Sequence, residues 1–211
     1  MPKLGMGPIR REQICRAAAV VISERGFAGT TMRMVAEEAG VSTGMLNHYF
    51  SNRAEMLRET LLYVSQGMQA RVAAAIEGTE PGEKRLRELV RSLLPTNEPN
   101  SQSWRVWIAA YGASVREPEL RETIGGRLSP WYEILDAALE KIVPDVKQPI
   151  PFSWQLDALI NGLVIQAIAT KTDITFSDVE NAIVTAMQAY ARAAAGSGGN
   201  GRARAKARKV A

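Results

Sequence analysis

Gly40 separates two short runs of helical pattern, Thr31–Ala39 and Ser42–Phe50, and that punctuation leaves few folds open to the segment. Glycine takes a left-handed conformation at a helix end without a Cβ penalty, so a tight turn is expected there. Ser42 follows as an N-cap, its hydroxyl placed to accept an orphan amide of the next helix. Met34, Val35, Ala39, Val41, Leu46 and Phe50 can close a small core around the turn. Thr43, Gly44, Met45, Asn47, His48 and Tyr49 are then left on the outside. Few are charged, several are hydrogen-bonding, and Gly44 permits close backbone approach. Such a surface suits a helix laid in a DNA major groove.

The string AGVSTGMLNHYFSNRAEML resembles the signature of TetR-type transcriptional repressors, and RREQICRAAAVVISERGFAGTTMRMVA stands in the register of their first helix. The likeness covers about residues 8–60. It implies an all-α chain with a three-helix helix-turn-helix head and a helical body for ligand binding and dimerisation, about nine helices in all. It also implies DNA contacts from Thr43, Gly44 and Asn47 early on the recognition helix. Ser42, Met45 and His48 belong to the same face. Tyr49 matches the family's phosphate-binding aromatic and Arg53 its basic residue at the start of the fourth helix. Thr31 and Arg33 are placed to clamp the adjacent strand. Asn47 stands where many members carry tyrosine, a departure from the pattern.

Charge supports a division of labour. The chain of 211 residues carries a net +4, but residues 202–211 hold five basic groups and no acid. Residues 1–60 have 8 basic against 6 acidic groups, and 61–201 have 13 against 16. A positive N-terminal part and a negative remainder fit a module on phosphate followed by one with another task. The expected boundaries are 1–52 for the DNA-binding domain, 53–195 for the effector and dimerisation domain, and 196–211 for a disordered basic tail. No apolar run approaches the ~18 residues that span a membrane, and MPKLGMGPIRR lacks the apolar core of a secretory signal. Cys15 is the single cysteine, so no internal disulfide forms, and a cytoplasmic location is expected.

Helix signals recur along the rest of the chain. The first helix should run from about Ile9 to Arg25 and stop at Gly26. Ser51 is placed to cap the fourth, whose stripe is Leu57, Leu61, Val64 and Met68. A helix through Leu86, Leu89, Val90 and Leu93 follows, then a loop over Pro95–Pro99 with Asn100, and a helix over Trp104–Val115 that breaks near Glu117-Pro118. Ser129-Pro130 starts another helix. The last two, Trp154–Lys171 and the one behind the Ser177–Glu180 capping box, are apolar on more than one side. Burial of that kind is met most simply by a homodimer built on these two helices.

The C-terminal stretches WRVWIAAYGASVREPELRETIGGRL and DALINGLVIQAI resemble those of BetI-type repressors, which answer to choline in glycine betaine synthesis. Trp104, Trp107 and Tyr111 share a helix face, and Trp131 and Trp154 bring further aromatics. Aromatic cages bind quaternary ammonium ions through cation–π attraction, but a stripe at helical spacing is more often core. The partners implied are double-stranded palindromic operator DNA and a small-molecule effector, choline-like or hydrophobic. The second choice would make the chain a regulator of efflux or of lipid or xenobiotic genes. Enzyme chemistry is not expected. His48 is the only histidine and lacks neighbours at ligand spacing, so neither a catalytic constellation, a metal site nor a cofactor is anticipated.

Overall fold

The computed structural model describes residues 6–126, 128–143, 149–170 and 173–207. Within them the chain forms ten helices and no strand. They are α1 (Met6–Gly29), α2 (Met32–Glu38), α3 (Thr43–Tyr49), α4 (Arg53–Ile76) and α5 (Glu83–Leu93), then α6 (Glu98–Ser114), α7 (Pro118–Gly125), α8 (Leu128–Leu139), α9 (Phe152–Ala169) and α10 (Phe176–Ala207). The all-α expectation holds. The helix absent from the count of nine is α7. Glu117-Pro118 reads in sequence as an interruption, yet proline at the first helical position costs no hydrogen bond and starts α7.

The chain packs as two compact units, Met1–Arg71 with Pro95–Ser129, and Val72–Leu94 with Pro130–Ala211. In the first, Ile14, Ala18 and Ile22 of α1 meet Val35 and Ala36 of α2, Leu46 of α3, Phe50, and Leu57 and Leu61 of α4. Val106 and Ala110 of α6 and Leu120 of α7 belong to the same core. The unit that holds the reading helices therefore extends well past residue 52, because α6 packs along α1. Leu46 and Phe50 are fully buried, each worth about 2 kcal/mol against exposure. Gly26 breaks α1 with φ 67°, ψ 176°, at the stop its sequence announces.

In the second unit α10 lies against both α5 and α9. Leu86, Leu89, Val90 and Leu93 are buried on α5, Leu156, Ile160 and Val164 on α9, and Val179, Ile183, Val184 and Met187 on α10. Glu180 is buried as well, held by Arg91 Nε at 2.7 Å and Arg87 Nη1 at 3.0 Å.

Four local expectations are corrected. Asn52, not Ser51, caps α4: its Oδ1 accepts from Glu55 N–H at 2.8 Å, and Glu55 in return accepts from Ser51 N–H at 2.8 Å. Thr175, not Ser177, caps α10 in a reciprocal pair with Asp178, because the helix begins at Phe176 and Glu180 is turned inward to the two arginines. The Pro95–Pro99 loop is shorter than expected, since Asn97 Oδ1 accepts from Asn100 N–H at 3.0 Å and α6 starts at Glu98. α8 opens at Leu128, one residue ahead of the Ser129-Pro130 pair. The segment 196–211 was expected to be without structure. The α10 backbone runs on to Ala207. Residues 208–211 lie outside the described residues.

Candidate DNA-reading head

The turn between α2 and α3 follows from three local choices. Thr31 takes an extended conformation and its Oγ1 accepts from Met34 N–H, opening α2. Gly40 closes it with φ 64°. Val41 N–H reaches Ala36 O at 2.9 Å and Gly40 N–H reaches Glu37 O at 3.1 Å, the paired bonds of a Schellman ending. Ser42 then caps α3, its Oγ accepting from Met45 N–H at 3.1 Å.

This geometry brings together the residues expected on the reading face. Ser42, Thr43, Gly44, Met45, Asn47 and His48 are exposed, while Leu46 between them is buried. Tyr49 is half-buried, and its ring meets His48 edge-on at 5.4 Å. Thr31 is exposed beside its cap bond. Arg33 is 81% exposed, with Glu37 at 3.9 Å, a pairing too loose and too wet to tie it down. A Cβ on Gly44 would meet only Ser42 Oγ, at 3.9 Å, so within the protein this glycine is not demanded by crowding.

Arg53 has a more committed place. Its Nε–H donates to Thr30 O at 2.6 Å and its Nη2 to Phe27 O, joining the first turn of α4 to the end of α1 and to Thr30 just ahead of α2. Arg11 does the equivalent work on α3 and is a residue the sequence reading passed over. Its Nη1 donates to Tyr49 O at 2.9 Å, its Nη2 to Glu55 at 2.9 Å, and its guanidinium stands 4.6 Å from the centre of the Phe50 ring. Hydrogen bonds from Ser51 N–H and Arg11 hold the Glu55 carboxyl below its usual range. The Asn52-x-x-Glu55 spacing was a legible signal of this arrangement; nothing local marked Arg11. Cys15 is buried, and burial pushes its thiol up to about 11, which leaves it unreactive.

The aromatic residues expected as a ligand cage fall in both units. Trp104, Trp107 and Tyr111 lie on α6 in the first, where both indoles are buried and Trp107 meets Tyr111 at 5.7 Å. Trp131 and Trp154 lie in the second. There Trp131 Nε1 donates to Asp157 Oδ1 at 2.8 Å, and the 51% exposed Trp154 stacks on Tyr132 at 5.2 Å. Burial raises the Asp157 carboxyl above its usual range, against hydrogen bonds from Trp131 and Asn161. Among the described residues no His/Cys/Asp/Glu group is arranged to hold a metal, and no helix is long and apolar enough to cross a membrane.

Residues 14–60 match the model of the bacterial regulatory proteins of the tetR family, and residues 81–195 that of the BetI-type transcriptional repressor C-terminal region. The HTH-type transcriptional regulator BetI of Serratia proteamaculans is 30% identical over 193 residues, spanning 83% of this chain and 96% of the relative. A crystal structure described as a TetR-family transcriptional regulator from Rhodococcus sp. superposes with a TM-score of 0.76 at 25% identity, over 86% of this chain and 98% of that one. A transcriptional regulator from Saccharomonospora viridis, crystallised in complex with choline, gives 0.71 at 23% identity, over 83% and 94%. Relatives of this kind regulate transcription and are not enzymes. With a helix-turn-helix head formed by α2 and α3 and both parts of the chain matched, the protein belongs to the TetR family, in its BetI-type branch, and is a DNA-binding transcriptional repressor.

Proposed function

We propose that residues 1–52 grip a palindromic operator through the exposed face of α3, and that residues 53–195 pair two copies and take up a small-molecule effector that releases the DNA. The observation that carries this reading is the α3 face itself, exposed from Ser42 to His48 around a buried Leu46 and free of carboxylates. Thr43, Gly44 and Asn47 are the base-edge and backbone contacts, Tyr49 a phosphate contact, and Thr31 and Arg33 the clamp on the neighbouring strand. Arg53 acts one step back, by fixing where α2 begins. One head reads few base pairs, so a homodimer on two half-sites supplies the affinity. TetR-type regulators bind DNA typically as homodimers, and the exposed Trp154, Ile168 and Tyr190 on α9 and α10 favour those helices as the interface here. The site of action is the cytoplasm, where the operator is.

For the effector, the same reading favours a quaternary ammonium ion of the choline type. The BetI-type relatives and the choline-bound neighbour support it, and so does Asp157. This carboxylate is desolvated beside the Trp131 indole and has no cationic partner among the described residues. A soft organic cation relieves that strain, and an aromatic wall adds cation–π attraction. The test is fluorescence anisotropy on DNA from the gene's own upstream region, against scrambled DNA, with choline titrated in. Release of a specific complex, lost in Asp157→Asn, supports the proposal. A specific complex indifferent to choline leaves the repressor standing and removes the effector assignment.

A further inference from the structure

Arg71 on α4 is half-buried and has no carboxylate partner among the described residues. Its Nη2 donates to Ser103 Oγ on α6 at 3.0 Å, and its Nε–H is buried without an acceptor. Gly67, one turn earlier, gives the guanidinium room to lie back along the helix: a Cβ there would stand 3.4 Å from Nη1. Burial pulls the Arg71 pKa down from its usual value, with a smaller upward push from Tyr63. One turn beyond Ser103, Trp107 Nε1 is a second buried donor without an acceptor.

Arg71, Gln102 and Ser103 line a cavity of about 710 Å³ bounded by α1, α4 and α6, within a single compact unit. Its size falls in the range of small-molecule sites. Two acids also stand on its wall, Glu12, loosely paired with exposed Arg16 at 3.4 Å, and Glu59, between Arg58 at 3.6 Å and Arg11 at 3.8 Å. Arg71 itself is a lining cation that no carboxylate pairs among the described residues, and it stands beside apolar Leu62 and Ala70. A guanidinium is a charge-assisted donor that suits the oxygens of a carboxylate or phosphate.

We propose that this cavity is an oxyanion site, taking a small carboxylate or phosphate monoester on Arg71 and the polar groups of the first turns of α6. It is separate from the cation site proposed around Asp157 and does not depend on it. The experiment is isothermal titration of the full chain with inorganic phosphate and, separately, with butyrate, at ionic strength matched with sodium chloride. Saturable binding is expected for at least one probe, and which one it is distinguishes a phosphorylated from a carboxylic ligand. Arg71→Gln should weaken it about 10- to 100-fold, the loss of a charged hydrogen-bonded pair. Gln102→Glu, which sets a negative charge at the rim and leaves Arg71 in place, should weaken it about tenfold, and decides the matter alone if Arg71→Gln does not fold. No saturable binding of either probe up to about 10 mM, well above a weak dissociation constant of ~1 mM, overturns the proposal. So does equal affinity in the wild type and the variants, as expected if ordered water satisfies the donors.

Discussion

Gly44→Ala separates the needs of the fold from those of the DNA. Gly44 is exposed in the first turn of α3, and an added Cβ would find only Ser42 Oγ, at the ordinary van der Waals distance of 3.9 Å. Alanine is the better helix former, by up to about 1 kcal/mol in a helix interior and about half that in a first turn. A domain of this size gains roughly 2–4 °C in Tm per kcal/mol, so the variant should melt about 1–2 °C higher than the wild type. The same methyl group stands where the α3 backbone is proposed to approach the DNA, and loss of a close contact costs about 1–3 kcal/mol, or 5- to 150-fold in operator affinity. Calorimetric melting and anisotropy on operator DNA read the two effects independently. A more stable protein with unchanged operator affinity would refute the placement of Gly44 against DNA. A less stable one would refute the open surroundings on which the argument rests.

Tyr49→Phe keeps the ring against His48 and removes the hydroxyl. Operator affinity should fall about five- to tenfold by anisotropy while the circular dichroism spectrum and the oligomeric state are unchanged. Arg53→Ala strands the carbonyls of Phe27 and Thr30 and should cost about 1–3 kcal/mol in a urea melt as well as weakening DNA binding; a loss of binding at full stability would make it a phosphate contact instead. Burial opposes ionisation of Glu180, but hydrogen bonds from Arg91 and Arg87 outweigh it and hold the carboxyl below its usual range. Its contribution is therefore present above the unfolded value, near pH 4, and disappears as pH falls through the folded one. Glu180→Gln should destabilise by about 1–3 kcal/mol at pH 7, discounted for the half-exposed Arg91, and should flatten the acid limb of the stability profile followed by melting at pH 3–7. Tyr190→Glu puts a charge on the exposed side of α10 and should convert the dimer to monomer in analytical ultracentrifugation.

Much of the reading head is visible in the amino-acid string because its determinants are local. Gly40, Ser42 and Thr31 each act within four residues of themselves, and the buried Leu46 and Phe50 follow from period alone. What the string hides acts across distance. Arg11 and Tyr49 are 38 residues apart, and Arg87 and Glu180 are 93 apart. The inward turn of Glu180 also explains the misplaced cap of α10: Ser-x-x-Glu spelled a capping box, but the carboxylate had two arginines on α5 to answer. Glu117-Pro118 misled for a different reason, since proline both ends and begins helices and only the backbone before it decides. The aromatic stripe on α6 was legible as a stripe, and the structure gives its two indoles to the core.

The Arg53 brace has a mechanical consequence. It ties the first turn of α4 to the end of α1 and to Thr30, so a tilt of α4 carries the start of α2 with it. At 1.5 Å per residue the 24 residues of α4 form a lever of about 36 Å. A tilt of about 5° pivoted at one end of such a lever moves the other by about 3 Å, close to the rise of one base pair. On the proposed palindromic operator, with half-sites one helical turn or about 34 Å apart, two heads each displaced by a base-pair step would no longer share a register. If an effector releases the DNA as proposed, a brace of this kind lets a change too small to disturb the packing of either helix suffice.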